Sequence, residues 1–353
     1  IPVSYDNTLE AMGEMEAFAA HHNVSNPLLW EERAVLMPFV SVVPNLFDVP
    51  EIRADYRYVM CDFEDDDFSA MLRRSGFHQI LAKDTFIHHF GGVTLNEVRT
   101  KRGNYKSIVS MRPVFREKWK VDPWESRGHL HFMDAFIKDL SADAFPACVL
   151  VIEPMFGEGL LQIRNYFRKL RRAVVIDAVV TDVRYMEDTK YMADKTICME
   201  SLDHLFAEQD VHYDMIVVGA PLNNMPISRI IPFFQGCHDH LRPHGFVYAS
   251  LHNYNSFERT MESLPNNTPH DTYDSILPMD GRRVFPVERL ITEVNKRFSS
   301  DAVRIGYASC PHLFADMTAF EELAAKILDS AGENRQQLHH FLLGDTVVFC
   351  IQR

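Results

Sequence analysis

The chain has no close pair of cysteines. Its six, Cys61, Cys148, Cys198, Cys237, Cys310 and Cys350, are scattered, which argues against a zinc knuckle or a disulfide framework and leaves ordinary, mostly buried thiols. No apolar run reaches about 18 residues, and the opening IPVSYDNTLEAM lacks the basic-then-apolar order of a secretion signal. No membrane span is expected, and a cytoplasmic setting is the default. Clustered positive charge is also scarce. The net charge is -13 and the densest basic stretch is the RKLRR ending at Arg172, so a nucleic-acid partner is not expected. Internal repeats and low-complexity segments are absent as well.

What is present is enough apolar material, 46% of 353 residues, to bury two cores. Aromatic and turn residues in KWKVDPWESRGHLHF, followed by the helical FMDAFIKDL, mark a boundary, and they divide the chain into residues 1–125, a linker helix at 126–145 and residues 146–353. From Ala147 onward, apolar strand-like runs alternate with helix-like ones: CVLVIE then GLLQIRNYFRKL, AVVIDAVV then RYMEDTKYMA, MIVVGA then ISRIIPFFQGCHDHL, and finally FVYASL. That alternation predicts an α/β domain with a doubly wound parallel sheet. The helix-like TAFEELAAKILDSAG and the apolar TVVFCIQR near the end are expected to add a last helix and an antiparallel edge strand.

The most distinctive stretch runs from Cys61 to Leu95. Four consecutive carboxylates, Glu64 to Asp67, precede Phe68, Met71 and Leu72 at helical spacing. Acids at a helix start are stabilised by its free N–H groups and dipole, so capping is the plain reading. The ordered elements FEDDDF, LRRSGF, QILAKDTFI and HHFGG also resemble the second half of family 2 (GT-A) glycosyltransferases, with LWEERAVLMPFVSVVPNLFDVPEI upstream and NYKSIVSMRPVFREKWKVDP downstream similar to the flanking segments. The resemblance implies a partial GT-A-like subdomain over residues 1–125. In it Asp65 acts as general base, with Glu64 and Asp67 beside it, and His89, or alternatively His88, ligates a manganese or magnesium ion that stabilises a departing nucleoside diphosphate. The nucleotide-binding first half and its Asp-x-Asp are missing from the residues before Leu29. The sequence therefore reads as the carboxy-terminal piece of a longer transferase, with a nucleotide-sugar donor and a glycan or glycoprotein acceptor.

Residues Glu153-Pro154-Met155-Phe156-Gly157-Glu158-Gly159 read as a tight turn between strand and helix. They resemble the glycine loop of class I S-adenosylmethionine-dependent methyltransferases, with Met155 where the first glycine is expected. The segments that follow resemble that fold in order, including the Leu-x-Pro-x-Gly turn of Leu241 to Gly245 and LHNYNS after it. The resemblance implies a Rossmann-like class I methyltransferase sheet, with Glu153, Gly157 and Gly159 at the cofactor. Val180 falls in the register of the ribose-binding acid, leaving Asp182 or Asp177 for that role. Asn223 and His252 are further pocket candidates. With one glycine, the ribose acid and the acid replaced by Gly219-Ala220-Pro221 all altered, a weakened hold on S-adenosylmethionine is expected. The leading functional expectation is an inverting glycosyltransferase portion carrying a degenerate methyltransferase-like domain. The alternatives are an active sugar O-methyltransferase and a non-catalytic scaffold or homo-oligomerisation module.

Overall fold

The computed structural model describes residues 8–36, 40–45, 49, 51–58, 63–88, 107–123, 130–140, 146–206, 211–253, 287–308, 344 and 346–353. They gather into two compact units that are not consecutive stretches of chain. The first holds residues 1–128, 156–172 and 187–192; the second holds 129–155, 173–186 and 193–353.

In the second unit, strands β3 (Ala147–Ile152), β4 (Val174–Val180), β5 (Lys195–Cys198), β6 (Tyr213–Val218), β7 (Leu241–His252), β8 (Val303–Ala308) and β9 (Thr346–Gln352) form one sheet in the order β5-β4-β3-β6-β7-β9-β8. The β5 to β7 block is parallel, and β9 runs antiparallel to both β7 and β8. The antiparallel strand is therefore not at the edge, as the sequence suggests, but inserted one place inward, with β8 outside it. Its apolar run TVVFCIQ explains this, because Val347 to Ile351 are fully buried and an edge position would leave one side of the strand unpaired. The expected helix at 318–332 lies outside the described residues.

Side chains alternate across β7 as its period of two requires. Val247, Ala249 and Leu251 join a core with Ile230, Phe234 and Cys237 of one helix (Ile227–Asp239) and with Val287, Leu290 and Val294 of another (Val287–Arg297). On the opposite face, Phe246 and Tyr248 meet Phe136, from the short helix Met133–Lys138, with ring centroids 6.0 and 6.3 Å apart. The sheet is thus covered on both faces, which accounts for the near-continuous apolar character of its strands. Early in β7, at Gly245, a Cβ would lie 2.9 Å from the carbonyl oxygens of Arg242 and Asp214 and 3.1 Å from that of Tyr213.

In the first unit the elements are α1 (Leu9–His22), β1 (Trp30–Glu32), α2 (Glu64–Arg74), β2 (Ile80–Ala82) and α3 (Ser107–Trp119), together with the helix Glu158–Lys169 and residues 187–192. Strands β1 and β2 pair antiparallel. Asn165 seals the free edge of β1, accepting from the Glu32 N–H and donating to the Glu32 carbonyl, each at 2.9 Å. Glu158 accepts the Ala34 N–H at 3.0 Å. Lys169 donates to Glu31 at 2.7 Å, and Lys83 donates to the same oxygen at 3.0 Å. Three polar residues on one helix face thus receive the first strand of the chain.

Two outcomes are expected. Glycine-to-alanine substitution at Gly245 should cost about 2–3 kcal/mol, because three backbone oxygens must move, and urea unfolding measures it. Burial pushes the Glu31 carboxyl up, but Lys169, Lys83 and Arg33 outweigh it and hold it at about 2, against about 4.3 in an unfolded chain. That stabilisation is complete above the unfolded value and is lost as pH falls toward the folded one. Glu31→Gln should therefore destabilise by about 1–2 kcal/mol at pH 7, the partly exposed cations limiting the effect. The difference should shrink between pH 5 and pH 2; a difference that stays constant over that range contradicts the assignment.

Candidate functional site

The chain runs from β3 through β4 to β5 on one side of the sheet, then crosses to β6 on the other side of β3. Strand order reverses there, and in open α/β sheets the crevice at the carboxyl ends beside such a reversal is where ligands bind. In the second unit this edge carries Glu153 after β3, Thr181 and Asp182 after β4, Gly219 after β6, and His252 at the end of β7.

Glu153 is buried, and its Oε1 accepts both the Thr181 N–H, at 2.8 Å, and the Thr181 hydroxyl. Burial pushes its carboxyl up while the Thr181 bonds oppose the shift. Its backbone is left-handed, with φ 54°, and so is that of Met155, with φ 52°. Such conformations are uncommon for side-chain-bearing residues and cost on the order of 1–3 kcal/mol each. The turn therefore keeps a glycine-type backbone at Met155, where the sequence has no glycine.

Asp182 follows β4 directly. It caps the turn Val183–Tyr185 through the Arg184 N–H at 3.0 Å and holds the Arg184 guanidinium, which keeps its carboxyl below the usual range. Asp177 lies within β4, level with Leu150 of β3, and accepts from the Tyr213 hydroxyl at 3.1 Å. It is three residues short of the strand end, so it is not on the carboxyl edge. A Cβ on Gly219 would come within 3.2 Å of the Ser250 hydroxyl. The Asn223 side chain accepts the His252 N–H at 2.8 Å and ties the end of β7 to the segment after β6.

In the first unit, Gly157 precedes the helix Glu158–Lys169 with φ 96°, and a Cβ there would meet the Met192 side chain at 2.0 Å. The left-handed φ is what favours glycine at position 157, since the Met192 thioether end is flexible and can shift. Gly159 is the second residue of that helix.

The four acids occupy the first turn of α2, where the helix dipole favours them, but none is its cap: the N-cap is Phe63, left-handed and without a side-chain capping bond. Asp67 is a packing residue: it accepts from Trp119 Nε1 at 2.6 Å, Lys118 at 2.8 Å and the Tyr58 hydroxyl at 3.3 Å. Asp65 is half-buried, and burial, then Glu64 and Asp66, push its carboxyl up to about 6. Glu64 is half-buried beside it. His89 lies outside the described residues.

No protein-family model matches the chain, and no curated protein does. Among solved structures, the chain is similar to a SAM-dependent methyltransferase from Archaeoglobus fulgidus (13% identity, 68% of this chain and 98% of that one, TM-score 0.42). It is also similar to the plantazolicin methyltransferase BpumL in complex with SAH (13% identity, 75% and 92%, TM-score 0.40) and to an S-adenosylmethionine-dependent methyltransferase from Mesorhizobium loti (14% identity, 64% and 99%, TM-score 0.38). The fold is a Rossmann-like, doubly wound mixed sheet consistent with that of class I methyltransferases.

These findings overturn the expectation of a GT-A glycosyltransferase half fused to a methyltransferase-like domain. The transferase-like segment does not stand apart. Arg73 and Arg74 of LRRSGF both bind Asp188, at 2.6 and 2.7 Å, and β1 is bound by the helix Glu158–Lys169. The nucleotide-sugar donor, the glycan acceptor and the manganese or magnesium ion lose their basis with that resemblance. Among the described residues no group of three or more His, Cys, Asp or Glu is placed to hold a metal, and no helix is long and apolar enough to cross a membrane.

Sequence reasoning missed Thr181 and Asp188. Thr181 carries a local signal, a hydroxyl residue directly after the apolar run of β4. Asp188 carries none, because its partners lie more than a hundred positions away. For the turn after β3, Met155→Gly should be tolerated or raise stability by up to about 1 kcal/mol, whereas Met155→Val should lower it by about 1–2 kcal/mol. Chemical denaturation of the two variants checks the contrast, and equal stabilities would argue against a strained turn.

Proposed function

We propose that the chain is an S-adenosylmethionine-dependent methyltransferase whose cofactor lies along the carboxyl edge of the sheet, over the ends of β3 and β4. The observation that carries this reading is the left-handed backbone at Met155, a costly conformation kept where the fold family has glycine. Strain that persists without the residue that relieves it is characteristic of a functional turn.

The residues present fit the group. Glu153 uses one oxygen, Oε1, for both Thr181 bonds, which fixes the carboxylate as a rigid acceptor for nucleoside or ammonium hydrogens. Gly219 leaves the end of β6 free of a side chain. When bound, the cofactor supplies an electrophilic methyl group on its sulfonium. The chain's part is to bind and orient two reactants in line, which needs no obvious base. His252 ends β7 on the same edge and is the candidate base for an acceptor hydroxyl. A sugar hydroxyl is the finer form of the proposal and rests on the resemblance of LHNYNS alone.

A second reading, a scaffold on the same fold, is favoured by the commitment of Asp182 to Arg184 and by the mid-strand position of Asp177. Neither is free at the edge to hold ribose. Calorimetric titration of the chain with S-adenosylhomocysteine separates the two readings. Micromolar binding is expected, weakened about tenfold by Glu153→Gln, a change of about 1.4 kcal/mol, and unchanged by Asp177→Asn. Absence of any binding heat, with the fold intact by circular dichroism, selects the scaffold.

A further inference from the structure

The first unit contains a small cavity of about 30 Å³ lined by Arg33, Arg73, Gln79, Leu161, Tyr191 and Met192, with Glu32 and the turn from Gly76 to His78 closing it. By that measure it has room for about two waters or one ion of comparable size. Two of the residues that line it, Arg33 and Arg73, each carry a buried guanidinium Nε without a hydrogen-bond partner. A buried charged donor left unmade costs more than a neutral one, so two at one cavity call for an acceptor.

The surrounding charge selects the kind of acceptor. Asp188, fully buried, serves both Arg73 and Arg74. Glu31 serves Arg33, Lys83 and Lys169, and Glu158 is a second, longer partner of Arg33 at 3.5 Å. Glu32 is already engaged by His78 at 2.6 Å. Five cations, Arg33, Arg73, Arg74, Lys83 and Lys169, thus face four carboxylates, Asp188, Glu31, Glu158 and Glu32, an excess of one positive charge. Water would meet the donors but leave the charge; a monovalent anion meets both.

We propose that this cavity binds a small monovalent anion of chloride size, held by the Nε–H groups of Arg33 and Arg73. The ion links the segment after β1, the end of α2 and residues 191–192, and so fixes the turn at Gly76 in place. The proposal is independent of the methyltransferase reading, since none of these residues belongs to the second unit.

The test uses the full chain. At constant ionic strength, with gluconate replaced stepwise by chloride, Tm should rise and saturate at about 2 °C above its starting value. The Arg33→Gln variant, which changes a partly exposed side chain and leaves the buried Arg73–Asp188 pair intact, should lose that response. Crystals soaked in bromide should show an anomalous peak in the cavity within hydrogen-bond distance of Arg73 Nε. Ordered water with no bromide signal, or a chloride response in Arg33→Gln equal to that of the parent, overturns the proposal.

Discussion

The first unit depends on one buried carboxylate. Asp188 is fully inaccessible and takes a guanidinium from each of two consecutive residues of α2, while Arg73 stacks on Phe156 at 4.2 Å and Arg74 on Trp119 at 4.8 Å. An ion pair removed from water gains little over an apolar pair of the same shape. Losing one partner, however, strands the others at a cost of about 3–5 kcal/mol. The interaction therefore acts as a constraint on arrangement: α2 has one place where both arginines are satisfied, and that place includes residues 187–192. Glu31, Asn165 and Glu158 repeat the principle around β1, each polar group meeting a partner more than a hundred positions away in sequence.

In the second unit the governing constraint is different. Apolar strands buried on both faces leave the carboxyl edge as the place where polar groups collect, and Glu153, Thr181 and Asp182 collect there. The left-handed backbone at Met155 follows directly on β3 and the buried Glu153, which Thr181 anchors.

The parallel part of the sheet was legible in the sequence because its strands are short, apolar and separated by amphipathic helices, a local pattern. The place of β9 was not legible, since pairing partners are chosen by long-range burial. The acids at Glu64 to Asp67 were legible as a helix start, whose local physics holds whatever surrounds it. Their reading as transferase chemistry failed because the same letters also serve packing: Asp67 answers Trp119 and Lys118, and LRRSGF answers Asp188. The ribose-side acid was ambiguous between Asp177 and Asp182 because strand ends cannot be located to within two or three residues by pattern, and that distance decides whether a side chain stands in a strand or on its edge.

The inserted strand also affects how the protein is made. Strand β8 emerges from the ribosome well before β9, yet β9 is its neighbour in the sheet. Until Thr346–Gln352 appears, β8 has no seat, and β7 presents an open row of backbone donors and acceptors to any other nascent chain. Assembly of this side of the sheet thus runs against the direction of synthesis. A message ending early in β9 would yield a product with an unprotected edge, recognisable to quality-control machinery by its stickiness rather than by its lost activity.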